Sequence, residues 1–113
     1  MDNDRELLER AAKAAGVGPL LFWSDEDGFG IPKYEWWNPL TSDDDALRLA
    51  VKLGIDPGRC FQIVIDSDIN RTGVRNTDRG GKYDSLEEHN ADPYAATRHA
   101  IVRAAAAIGE GRE

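Results

Sequence analysis

The chain has 113 residues, 41% apolar and 31% charged, the size and balance of one globular domain. Its net charge of −7 argues against direct nucleic-acid binding, because phosphate contacts need an excess of lysine and arginine. A mean hydropathy of −0.55 and the charged opening Met1-Asp2-Asn3-Asp4-Arg5-Glu6 predict no secretory signal, and no run approaches the ~20 apolar residues of a membrane span. The single cysteine, Cys60, excludes an internal disulfide and suits a reducing cytoplasm.

Leu7, Leu8, Ala11, Ala12 and Ala15 recur at helical spacing and predict a helix over residues 4–15. Asn3 or Asp2 caps it, Glu6 suits its first turn, and Gly16 stops it. Residues 19–37 read as a hairpin, with Pro19–Trp23 as one strand and Lys33-Tyr34-Glu35-Trp36 as the other. Asp25-Glu26-Asp27-Gly28-Phe29-Gly30 forms its turn. Six of the nine aromatic residues fall between Phe22 and Trp37, so this hairpin is expected to carry much of the core. Trp23 and Trp37 alternate away from Phe22 and Trp36. Either both faces are covered, as in a sheet between helices, or an open face presents its tryptophans as binding anchors.

Residues 43–53 read as a second helix, with Thr41 or Ser42 as cap and Asp43, Asp44 and Asp45 at the positive end of its dipole. Gly54 stops it and Asp56-Pro57-Gly58 turns the chain. Arg59–Asp66 is the clearest strand, and its near-continuous hydrophobicity predicts burial on both faces. Residues 67–82 are polar and glycine-bearing, with a weak strand over Thr72–Asn76. For Tyr83–Glu88, an edge strand and a turn are both open. Asp92 caps a third helix and Pro93 takes its first position. Its buried stripe is expected to be Tyr94, Thr97, Ile101, Ala104, Ala105 and Ile108, before Gly109 and a frayed tail at Glu110–Glu113. The order α-β-β-α-β-(β)-α defines an α+β domain over residues 1–113. It predicts a small, mostly antiparallel sheet of three to four strands sandwiched by three helices.

No catalytic constellation stands out. Asp66-Ser67-Asp68-Ile69-Asn70 begins like a calcium loop, but Arg71 replaces its glycine and Thr77 its glutamate. Gly28-Phe29-Gly30 and Gly80-Gly81-Lys82 lack the remaining residues of nucleotide fingerprints and read as turns. His89 falls in a polar loop and His99 off the helical stripe, with no zinc spacing. Cys60 reads as a small core residue. No metal, cofactor or catalytic residue is expected. Residues 69–82 hold Arg71, Arg75, Arg79 and Lys82 against Asp78 alone, a local balance of +3 on an acidic body. This island is either an anion pocket, whose guanidinium forks suit phosphate, or a solvated loop. Asp25, Glu26 and Asp27, with Asp43, Asp44 and Asp45, either present carboxylates to a basic partner or only serve a turn and a helix start.

The segments Trp37-Asn38-Pro39-Leu40, Asp45–Ile55 and Asp92–Gly109, with Arg5–Gly16, resemble the small phage and prophage proteins grouped as the phage ABA sandwich domain. The resemblance covers the greater part of the chain and implies a compact sheet sandwiched by helices. Residues 66–90 depart from it, being longer and more basic. It brings no assigned activity and no catalytic residue. It implies a non-enzymatic phage accessory protein in the host cytoplasm that binds and inhibits a host protein, such as a nucleic-acid-handling defence complex. The alternative is sequestration of a nucleotide signal by Arg71, Arg75, Arg79 and Lys82. The third helix and the tryptophan-bearing hairpin are each candidates for a homodimer interface.

Overall fold

The computed structural model describes residues 4–32, 35–54, 61–66, 70–76, 83–90 and 92–109. The fold is α+β, with three helices and two three-stranded antiparallel sheets. Along the chain run α1 (Asp4–Ala15), β1 (Phe22–Ser24), β2 (Gly28–Ile31), β3 (Glu35–Trp37), α2 (Asp43–Gly54), β4 (Phe61–Asp66), β5 (Arg71–Asn76), β6 (Tyr83–Glu88) and α3 (Pro93–Gly109). The strand orders are β1-β2-β3 and β4-β5-β6. The expected hairpin is therefore a three-stranded meander, and Tyr83–Glu88 is an edge strand. The strands divide over two small sheets where one of three to four strands is expected from the sequence.

Each helix end is set locally. At the end of α1, Val17 N–H donates to Ala12 O (2.9 Å) and Gly16 adopts φ +70°. This is the Schellman arrangement, whose left-handed residue favours glycine. At the start of α2, Ser42 Oγ accepts from Asp45 N–H (3.2 Å), and Asn38 Oδ1 accepts from Leu40 N–H (3.0 Å) in an Asx turn. The Asp45 carboxylate accepts from Asn38 N–H (2.9 Å), so it fixes the preceding turn. Asp92 Oδ1 caps α3 by accepting from Tyr94 and Ala95 N–H at 3.0 and 3.1 Å.

α3 is the centre of the molecule. It packs on α1, α2, β5 and β6. Ala104, Ala105, Ala106 and Ala107 are all buried, and four successive positions span every side of a helix. The predicted single stripe is thus too narrow, and at its start Tyr94 is 71% exposed. The facing side of α1 is Leu7, Leu8, Ala11, Ala12 and Ala15, all buried. Near the C-terminal end of α3 the backbones nearly touch: a Cβ at Gly109 would collide with the main-chain carbonyl of Arg10. The core is therefore mainly helical, and from the meander Phe29 and Trp37 join it, with Trp23 half-buried against Phe29.

Sheet β4-β5-β6 rests on α3 through Val74, Thr72 and Ser85, all buried. The opposite face carries Gln62, Val64, Arg71, Arg75, Leu86 and Glu88, which are exposed or half-buried. β4 is an edge strand, and Ile65 is 63% exposed. The expected two-sided burial of this strand is not realised, because α3 covers β5 and β6 more fully than β4. Cys60, Asp68, Arg79, Lys82, the Asp56-Pro57-Gly58 turn, the Gly80-Gly81-Lys82 turn and the tail Glu110–Glu113 lie outside the described residues. No described helix is long and apolar enough to cross a membrane.

The Gly109 contact yields a test. Gly109→Ala forces backbone apart where no side chain can yield. It should destabilise the fold by about 1–3 kcal/mol, the usual cost of overpacking, whereas Gly54→Ala, at an exposed helix end, should cost less. Urea unfolding of both variants measures the difference.

Candidate functional site

The outer face of the meander exposes two neighbouring aromatic rings, Phe22 and Trp36. Register places Phe22 opposite Gly30 and Gly30 opposite Trp36, so the two rings flank a glycine on one face. Their centroids lie 5.2 Å apart at 82°, an edge-to-face contact. A Cβ on Gly30 would fall 2.6 Å from the Phe22 ring. The ladder extends by one bond, Leu21 N–H to Gly30 O (2.8 Å). Leu21, Phe22 and Trp36 are 53%, 54% and 43% exposed. Of the two arrangements open from sequence, the meander has the second: one face against the core, and one open to solvent.

The turn at the end of this face carries Asp25, Glu26 and Asp27, all exposed. Asp25 accepts from Trp23 Nε1–H (2.8 Å), and Asp27 makes long contacts of 3.4 and 3.5 Å with Ser24. Glu26 has no partner among the described residues. The three carboxylates therefore border the aromatic face while keeping acceptor capacity. The acids of α2 are differently placed. Asp43 binds Arg98 Nη1 (2.6 Å), while Arg98 Nε donates to Leu40 O (2.9 Å). Asp45 holds Asn38, and Asp44 is exposed. Asp43 and Asp45 tie α2 and its leading turn into the fold.

Arg71 and Arg75 do not lie in a loop. They share the outer face of β5, where Arg71 pairs with Glu88 at 3.5 Å and Arg75 Nε donates to Gln62 Oε1 at 2.7 Å. Within the described residues both guanidinium groups are engaged by neighbouring strands. Ala96, Ala100 and Ala104–Ala107 of α3 are buried inside the chain.

His89 is buried, where a polar loop position is expected from sequence. Its Nε2 lies 2.7 Å from Thr72 Oγ1, which lies 3.1 Å from Thr97 Oγ1, which donates to Pro93 O (2.8 Å). Its Nδ1 faces Asn70 Oδ1 at 3.2 Å. Since Thr97 gives its proton to Pro93, Thr72 donates to Thr97 and accepts from His89. Hydroxyl, imidazole and amide stand in the spatial order of a nucleophile relay, with the imidazole donating to the hydroxyl where a relay needs it to accept. Thr72, however, is 0% exposed, so nothing can reach its oxygen, and the chain of bonds joins β5 to α3. His99 is half-buried and pairs with Glu87 (3.0 Å), which also accepts from Arg103 (2.7 Å). Among the described residues no three His, Cys, Asp or Glu side chains converge as metal ligands.

Two of the surface concavities lie beside α2. An apolar groove of about 600 Å³ runs between α2, β4 and α3, lined by Leu47, Ile63, Ile65, Pro93, Tyr94 and Ile101. A second, of about 530 Å³, lies between β3 and α2 and brings Trp36 and Trp37 towards Arg48 and Lys52. Neither cation stands out in the sequence. The spacing of Asp45, Arg48, Leu49 and Lys52 marks one side of a helix, but nothing local shows that tryptophans lie opposite. Comparison of the chain with protein-family models, curated proteins and solved structures finds no match.

Thr72→Val keeps the shape of the buried network and removes its central hydroxyl. His89 and Thr97 then lose a partner in a closed site, which should cost about 1–3 kcal/mol. Thermal and urea unfolding measure it, and a neutral result would show that the network contributes nothing to stability.

Proposed function

We propose that this chain is a non-enzymatic phage accessory protein that binds and inhibits a host protein in the host cytoplasm, the target class being a component of an anti-phage defence complex. The observation that carries the reading is the open aromatic face of Phe22 and Trp36, bordered by the carboxylates of Asp25, Glu26 and Asp27. Protein interfaces concentrate their binding energy in aromatic anchors and use a charged rim to select and steer partners. Acidic rim groups on a chain of net charge −7 suit a basic partner, as found among proteins that handle nucleic acid. The resemblance of the helical segments to the phage ABA sandwich domain supplies the phage setting. In this reading binding is stoichiometric and inhibition follows from occlusion of the partner's surface.

The test is capture of partners from host lysate at low and high salt, followed by reconstitution of a 1:1 complex from purified components and assay of the partner's own activity. Phe22→Ala and Trp36→Ala should each weaken the complex by about tenfold or more, as for interface anchors. Glu26→Lys should mainly slow association and flatten its salt dependence. Unchanged affinity in all three variants would sink the assignment of this face.

A further inference from the structure

We propose that the cleft between β3 and α2 is a small-ligand site for a planar aromatic ring bearing an anionic group. Its volume, about 530 Å³, lies within the range of small-molecule pockets. Val17, Ile31, Trp36, Trp37 and Leu49 supply an apolar wall. Arg48 and Lys52 stand one turn apart on α2 and both line the cleft. Neither has an ion pair or hydrogen bond among the described residues. The two cations repel at this spacing, an effect that Asp44 and Asp45, one turn before Arg48, offset in part. The choice of ligand class follows from charge complementarity: these are two uncommitted cations, side by side, on a protein of net charge −7.

The indoles select for an aromatic ring. Trp36 is half-exposed at the mouth and offers a face for stacking. Trp37 is buried behind it and contributes to the apolar wall of the cleft. Two carboxylates also line the cleft. Asp45 is committed to Asn38 N–H, whereas Glu35 is exposed on the edge strand β3. Glu35 therefore suits a ring with N–H donors, with the anionic group lying across the cleft on Arg48 and Lys52. Mononucleotides and aromatic carboxylates share the ring-plus-anion chemistry; Glu35 favours the nucleotides, whose bases carry such donors. This site is separate from the basic residues of β5, and only Trp36 is common to it and the protein-binding face.

The test is isothermal calorimetry and tryptophan fluorescence on the full chain with AMP, GMP, CMP and UMP, with indole-3-acetate, and with inorganic phosphate. Saturable binding of a ring-bearing anion, with phosphate alone binding at least about tenfold more weakly, is expected, because stacking adds to the charge contacts. Arg48→Ala with Lys52→Ala should weaken it about tenfold or more. Both residues are exposed, so circular dichroism should be unchanged. Glu35→Gln distinguishes the sources: it weakens nucleotides and leaves indole-3-acetate unaffected. Glu26→Lys, on the exposed turn outside the cleft, should leave ligand binding intact while slowing partner association, so the two proposals fail independently. No saturable signal with any ring-bearing anion, or equal binding by the Arg48→Ala/Lys52→Ala variant, overturns the proposal.

Discussion

The close approach of α1 to α3 is the constraint on which the rest of the molecule depends. Alanine and glycine let two helix backbones lie nearly in contact, at the cost of the large side chains that would otherwise fill a core. Leu8 and Leu53 are the largest fully buried residues, and much of the remainder is alanine. Such an interface gains from many small dispersion contacts, none of which tolerates much displacement. It also makes α3 thin enough to be covered from several sides at once. Both α2 and the β4-β5-β6 sheet rest on it, and their positions follow from that one axis.

Alanine surfaces are smooth and fix direction poorly, so register has to come from elsewhere. Here directional polar groups supply it. Ser85 Oγ donates to Ala100 O at 2.6 Å, Glu87 takes bonds from His99 and Arg103, and Thr72 meets Thr97. Together they tie the sheet to α3 over residues 97–103. On the other side Arg98 binds both Leu40 O and Asp43. That last tie connects the Trp37-Asn38-Pro39-Leu40 turn to the third helix, two segments that a reader of the sequence meets more than fifty residues apart.

What was legible in the sequence follows the same division between local and distant causes. The three helices were readable because caps, stop glycines and first-turn acids act over four residues, and each lies where these signals put it. The meander was only partly readable. Its strands have three or four residues each, too short for alternation to show, and Phe29, which reads as part of a turn, is a buried strand residue. The burial of α3 escaped a stripe model because alanine is compatible with any surface, covered or open. His89 looked polar and solvated because its partners at positions 70 and 72 join it only once β5 pairs with β6. The candidate surfaces divide likewise. The alternation of Phe22 and Trp36 against Trp23 and Trp37 was visible, whereas which face lay open required the core. Arg48 and Lys52 read as ordinary helix charges until β3 is placed across from them.

Gly30 has a consequence for how the aromatic face meets another molecule. Because no side chain stands between them, Phe22 folds over the strand and Trp36 abuts it, so each ring restrains the other's rotamers. An exposed aromatic residue usually surrenders side-chain freedom when it is captured, and that loss subtracts from affinity. Here part of that entropy is already spent in folding. The pair is offered as one rigid, L-shaped edge, and a surface that accepts it must match its outline as well as its hydrophobicity. A single methyl group at position 30 would loosen that edge without touching the core.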